Sequence, residues 1–261
     1  MKSRKYKTDL TDKQWEIISC YLPEQKGPGR KPKYDMREII NAILYLLHSG
    51  CQWVMIPHDF PPWYSVYYRF SRWRKNGTWF LIHQALHQDL RQSEGRDPEP
   101  TAAIIDSQSV KASKVAETRG FDGNKKIKGR KRHLVTDTLG FPLAVKVHDA
   151  NLADGKQAFD LLNLMFFWFI SVQAIWADAA YRGALALWLL AAHQCRLEIA
   201  PTLKGQGFQP VPKRWIIERT FGWLQWSRRL SMDYEVYADT AETMVYLASI
   251  KIMLGRLAAI L

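Results

Sequence analysis

The chain has 261 residues and a mass of 30.3 kDa, enough for one large domain or two small ones. Hydrophobic residues make up 47% and charged residues 24%, which excludes wholesale disorder. Lys and Arg number 37 against 25 Asp and Glu, giving a net charge of +12 and a pI of about 9.6; such an excess favours an anionic partner, most often nucleic acid.

Cys20, Cys51 and Cys195 lie far apart and form no CxxC pair, which argues against a disulfide framework and a zinc finger. The N-terminal MKSRKYKTDLTDKQW is basic but lacks an apolar h-region, so it does not read as a signal peptide. The longest apolar run, LMFFWFI at 164–170, is about half a membrane span. The expectation is a cytoplasmic protein with no membrane partner.

Residues 8–22, TDLTDKQWEIISCYL, predict a helix capped by Thr11 and stopped by Pro23. A basic Gly/Pro loop covers 24–34. Asp35 opens a second apolar helix over 35–48, and a turn follows through Gly50 and Pro57. After Pro61-Pro62, WYSVYYRFSRWRKNG predicts a third helix, in which aromatics alternate with Arg69, Arg72, Arg74 and Lys75. Three short helices, the last basic and aromatic, suggest a helix-turn-helix-like DNA-binding unit. A packed bundle with a charged outer face is the alternative. Residues 78–92 extend the helical region. The polar SEGRDPEPT at 93–101 is the expected boundary, giving a helical DNA-binding domain at 1–95 and a catalytic domain with a C-terminal helix at 96–261.

Beyond the boundary, strands are expected at 101–106 (TAAIID), 132–138, 141–148, 173–178 (QAIWAD) and 196–202. The second and third form a hairpin around Leu139-Gly140. Helices are expected at 154–169, 184–194, 212–230 and about 240–261. The fold class is therefore α/β, a mixed sheet flanked by helices in RNase H-like order, preceded by an all-α domain.

Three acids stand out by position. Asp106 and Asp178 each follow an apolar strand, and Glu218 sits on the long helix after the last strand. In an RNase H-like order the first and fourth strands are adjacent, so the two aspartates would be neighbours. The carboxyl ends of such strands are where ligands bind. Clustered carboxylates repel and call for hard divalent cations. Two Mg²⁺ (or Mn²⁺) ions would clamp the attacking and leaving oxygens of a phosphoryl transfer. The turn or cap role of an aspartate, and an exposed helix charge for Glu218, are the competing readings. Trp215, Ile216, Phe221 and Trp223 around Glu218 predict a largely buried surface, with Arg214 or Arg219 as its partner.

Positive charge is densest at 101–132, with nine basic against three acidic side chains, and above all in Lys125–Arg132, KKIKGRKR. Such a run is either a solvated loop or a phosphate-contacting ribbon. Asp154, in HDANLADG, reads as a helix N-cap rather than a ligand.

The segments IIDSQSVKAS, GRKRHLVTDTLGFPLAV, WADAAYRG and RWIIERTFGWLQWSRRL resemble the conserved blocks of DDE transposases of bacterial insertion sequences, most of all the insertion-sequence-five (IS-five) family. LTDKQWEIISCYLP, GRKPKYDMREIINAILYLLHSGCQWVMIP and PPWYSVYYRFSRWRKNG resemble that family's helical DNA-binding region. The resemblance runs from about Leu10 to Leu230. It implies a D-D-E triad at Asp106, Asp178 and Glu218, acting as catalytic and metal-binding residues. The wider group's Tyr-x2-Arg-x3-Glu-x6-Lys signature finds its Arg in Arg214, while Val211 and Gln225 replace its Tyr and Lys.

The implied activity is metal-dependent cleavage at the terminal inverted repeats of an insertion element and joining of the freed 3′-hydroxyl to target DNA. The implied setting is the bacterial nucleoid, with the protein a homo-oligomer on double-stranded DNA. Lys111, Lys125, Lys126, Lys128, Arg130, Lys131 and Arg132 are the expected phosphate contacts; Arg69, Arg72 and Arg74 are candidates for reading the ends. A nuclease or resolvase of the same fold, and a repurposed DNA-binding protein with an idle site, are the alternatives.

Overall fold

The computed structural model describes residues 6–23, 33–199 and 213–260. Most of the expected 24–34 loop and the last part of the 196–202 strand lie outside them. The chain forms two compact units. One comprises residues up to Arg96, Trp226–Ser231 and Thr243 onward; the other comprises Asp97–Gln225 and Met232–Glu242.

The regular elements of the first unit are all helices among its described residues. Helix α1 (Asp12–Ser19) starts at a capping box: Gln14 N–H donates to Thr11 Oγ1, and Thr11 N–H to Gln14 Oε1. Helix α2 (Met36–Ser49) is capped by Asp35 and ends at Gly50, whose left-handed φ of 74° suits a residue without Cβ. Helix α3 (Trp63–Lys75) buries Val66, Phe70 and Trp73 at i, i+4 and i+7, and packs on α2 and on helix α4 (Thr78–Ser93).

The C-terminal helix α8 (Ala238–Ile260) departs from expectation. From Thr243 on it belongs with the helical unit, not with the sheet. The reason is side-chain packing: Tyr246 meets the Phe80 ring at 5.3 Å, His83 Nε2 lies 2.9 Å from Ser249 Oγ, and Arg256 pairs with Glu94.

The second unit holds strands β1 (Ala102–Lys111), β2 (Gly120–Asp122), β3 (Ile127–Asp137), β4 (Pro142–Asp149), β5 (Ala174–Ala177) and β6 (Arg196–Ile199). The sheet is mixed: β1 runs antiparallel to β3 and parallel to β5, which runs parallel to β6. The other edge of β3 is shared by β4, along Arg130–Thr136, and β2, along Ile127–Gly129. The expected adjacency of the Asp106 and Asp178 strands is thus present. Strand β2 was not expected; it is too short for a period-2 signal. Helices α5 (Asp154–Trp168) and α6 (Ala184–His193) cover one face, where Ile105, Val135, Ala144, Leu161, Met165 and Leu189 form the core.

Helix α7 (Arg214–Leu224) is shorter than the predicted 212–230 helix. Its side chains reach the β3–β4 turn: Thr220 Oγ1 donates to Gly140 O at 2.6 Å, Arg219 Nη2 donates to Leu139 O at 2.7 Å, and Trp223 packs on Phe141. Arg219 is also sandwiched between Trp215 and Trp223, so it is not the partner of Glu218. This docking fixes the azimuth of α7 and hence where Arg214 and Glu218 project.

Candidate active site

Asp106 lies in the middle of β1, opposite Leu134 of β3, and not at the strand's end as expected. The apolar run stops at Asp106, but the hydrogen-bonded ladder to β3 continues to Lys111 because pairing is a backbone property. Ile104 pairs in parallel with Trp176, so two residues on, Asp106 stands level with Asp178. The alternation of side chains puts both carboxylates on one face. Asp178 follows β5 directly and caps the 3-10 turn Ala179–Tyr181, its Oδ1 accepting from Ala180 N–H at 2.8 Å. Glu218 is one helical turn beyond Arg214.

The guanidinium of Arg214 gathers all three acids. Its Nη2 lies 3.7 Å from Asp106 Oδ2 and 3.8 Å from Asp178 Oδ2, and its Nε lies 3.4 Å from Glu218 Oε1. Two carboxylates that share one nitrogen are neighbours in space, although 72 residues separate them in sequence. Glu218 is not in a buried surface as expected; its side chain is 55% exposed, because the helix buries Ile216, Ile217 and Thr220 instead.

Burial pushes the Asp106 carboxyl up to about 6, against the downward pull of the Ser107 N–H and of Arg214; the Asp178 charge adds to the rise. A buried acid with this shift is a site that gains from a cation. The donor chemistry fits a hard divalent ion: oxygen ligands only, around a position now held by a monovalent cationic side chain. Among the described residues, no three His, Cys, Asp or Glu side chains stand close enough together to ligate an ion.

The basic residues divide. Lys111, Lys125, Lys126 and Lys128 are exposed, and Lys125 Nζ donates to Ser107 O at 3.1 Å, beside Asp106. The expectation of phosphate contacts for Arg130, Lys131 and Arg132 does not hold: they are only 0%, 8% and 1% exposed. Arg130 pairs with Asp233 at 3.3 Å and donates to the carbonyls of Thr118, Glu235 and Val236. Arg132 donates to Met232 O, and burial pulls it down to about 10. Lys131 pairs with Asp154 at 2.9 Å. That pairing also corrects the cap reading of Asp154, which is the first residue of α5, with Ala153 at the N-cap. In the helical unit, Arg72 is exposed, Arg74 is half-buried, and Arg69 is half-buried with its guanidinium over the Trp73 ring. Val211 lies outside the described residues, and Gln225 is the C-cap of α7.

Sequence reasoning passed over Tyr181 and gave His133 no role. Both are buried, and the Tyr181 hydroxyl lies 2.8 Å from His133 Nε2. Burial and the carboxylates nearby raise Tyr181 well above an ordinary phenol. The ADAAYRG spacing, a tyrosine three residues after the acid, was the available signal.

Comparison with known proteins bears on the family of the chain. Residues 97–250 match the family described as "Transposase DDE domain", and residues 10–83 match the "Putative transposase of IS4/5 family". A "Putative transposase for insertion sequence element IS402" from Burkholderia cepacia is 30% identical over 118 residues, 42% of this chain and 56% of the relative. The "Uncharacterized protein y4sN" of Sinorhizobium fredii is 30% identical over 69 residues, 26% of this chain and 55% of the relative. The chain thus spans about half the length of these curated relatives. No solved structure matches. A DDE domain implies an RNase H-like fold, and the mixed α/β sheet agrees with one. With a DDE-domain match over more than half its length, the chain belongs to the DDE-domain transposases, and its first part is similar to those of the IS4/5 family.

Proposed function

We propose that the protein cuts the ends of its own insertion element and joins them to target DNA, with Asp106, Asp178 and Glu218 holding two Mg²⁺ or Mn²⁺ ions. The observation that carries this is the convergence of three acids, from β1, the end of β5 and α7, on one guanidinium. Divalent ions at such carboxylates supply an activated oxygen nucleophile and offset the charge on the transferring phosphoryl group. The chain's own work is placement. The sheet keeps Asp106 and Asp178 level, and α7 brings Glu218 and Arg214 to them. Arg214, 35% exposed, suits a forked contact to a phosphate near the cut. Lys125 Nζ, held by Ser107 O, adds a positive charge on the same rim. Lys111, Lys126 and Lys128 extend it as backbone contacts, which position DNA without reading it.

We assign recognition of the terminal inverted repeats to a helix-turn-helix-like domain at 1–95. Helix α3 supports this, with Tyr64, Tyr68 and Arg72 outward and Arg69 and Arg74 beside them. Simultaneous handling of two element ends calls for a homo-oligomer on DNA in the bacterial cytoplasm.

Incubation of the purified protein with end-bearing DNA and target DNA tests this. Cleavage and joined product are expected with Mg²⁺ or Mn²⁺, neither with EDTA, and neither in Asp106→Ala, Asp178→Ala or Glu218→Ala. Nicking without joining favours the nuclease or resolvase. End binding with no cleavage favours the repurposed DNA-binding protein. Cleavage without metal would overturn the mechanism.

A further inference from the structure

Asp178 sits on a turn with little structure of its own. The 3-10 turn Ala179–Tyr181 has three residues, and a segment this short does not hold a carboxylate to catalytic tolerance unaided. Besides the Arg214 guanidinium on the carboxylate, two contacts from other elements hold the turn itself. Gly155, in the first turn of α5, lies so close to the Ala180 carbonyl that a Cβ would meet that oxygen at 2.9 Å. The second is the buried side chain of Tyr181, hydrogen-bonded to His133 of β3.

The direction of that hydrogen bond follows from its neighbours. His148 Nδ1 lies 3.1 Å from Asp149 O, and a carbonyl only accepts, so His148 carries its proton on Nδ1. In a neutral imidazole the other nitrogen is then an acceptor. His148 Nε2 lies 3.4 Å from His133 Nδ1, so His133 donates there and its Nε2 is left to accept. Tyr181 must therefore be the donor to His133. Burial keeps both rings neutral, pushing His133 down to about 3 and His148 below its ordinary value.

We propose that Tyr181 is a positioning residue for Asp178, its phenolic proton committed to His133 by a tautomer chain that ends on the Asp149 carbonyl. A phenol not committed to His133 would carry a free proton close enough to feel the charges of Asp106 and Asp178. A phenol locked onto β3 ties the turn to the sheet and leaves both carboxylates open. The inference rests on the transposase reading of the site and adds to the acids the groups that orient one of them, as outer-shell hydrogen bonds do at metal sites.

Long-range ¹H–¹⁵N NMR on the full chain tests the tautomers directly. Both His133 and His148 are expected with the proton on Nδ1; a proton on His133 Nε2, or a cationic His133 at neutral pH, overturns the proposal. Mn²⁺ binding, followed by EPR of the free ion, and steady-state cleavage then test positioning. Tyr181→Phe and His148→Leu should each weaken Mn²⁺ binding or lower kcat roughly 10- to 100-fold, with KM for DNA unchanged. His148→Gln, which restores an acceptor for His133, should recover most of the loss. Gly155→Ala should lower kcat in the same way without unfolding α5, since Ala favours a helix over Gly by about 1 kcal/mol. Variants that bind Mn²⁺ and cleave like an active parent protein overturn the positioning role alone. A parent protein that neither binds Mn²⁺ nor cleaves overturns the functional reading beneath it. If Tyr181→Phe does not fold, the parent's tautomers and the contrast of Leu with Gln at 148 still decide.

Discussion

Arg214 is a cation at the positive end of a helix, where the macrodipole disfavours it. Its i,i+4 partner Glu218 follows it, the poorer order for such a pair. Helix stability does not explain the residue; three carboxylates from a strand, a turn and a helix do. The Arg130–Asp233 pair is the opposite case, with side chains 0% and 1% exposed and no route to DNA. Removing one partner of a buried pair strands the other charge, so Asp233→Ala should cost about 3–5 kcal/mol in urea unfolding. Lys126→Ala and Lys128→Ala should leave stability within about 0.5 kcal/mol. Each should instead reduce the slope of log DNA affinity against log salt by about 1. Loss of DNA binding without loss of stability in an Arg130 variant would refute this division. Sequence shows that KKIKGRKR is basic; it does not show which of its charges already have partners.

Among the elements, β1 and α7 decide the site. A strand whose apolar run ends at Asp106 was legible, and so was its pairing with the Asp178 strand. Its continuation to Lys111 was not, because the partner strand and not the side-chain pattern extends a ladder. The start of α8 carries a separate pH-dependent contact within the sheet unit. Glu242 Oε1 accepts from Val147 N–H of edge strand β4 at 2.9 Å, and burial pushes this carboxyl from the ordinary 4.5 up to about 7. Since the folded value is the higher one, the contribution is full below pH 4.5 and is lost as pH rises through 7. Glu242→Gln keeps the acceptor and removes the buried charge. It should therefore stabilise the protein by about 1–2 kcal/mol at pH 8 and by much less at pH 5, read from thermal unfolding at both values. Equal effects at the two pH values would refute it.

At the scale of the whole molecule, the chain is not divided at a single point. The helical unit takes its first 96 residues and, far along the sequence, Thr243–Leu261. Helix α8 is long and apolar enough by composition to cross a membrane, yet most of its apolar stretch is buried in the protein. Its buried Met244, Val245, Leu247, Ile250, Met253 and Leu257 mark it as a core helix. A fragment of residues 1–96 should therefore fail to unfold cooperatively and should bind ANS, while the full chain does neither. A cooperative transition in that fragment would show that α8 is dispensable to the unit.

The amino-acid sequence alone determined the family, the helical character of the first part, the mixed α/β character of the second and the order of the principal strands, and it singled out the three acids, because these are written in local periodicity, composition and short motifs. Only the tertiary structure decided that Arg214 sits among the acids, that three of the six charges of the basic run are buried on internal carboxylates and carbonyls, that Tyr181 is tied to His133, and that the last helix returns to the first unit. Each of these depends on which distant side chains meet after the chain is packed, and a charge or a hydroxyl carries no local mark of its partner.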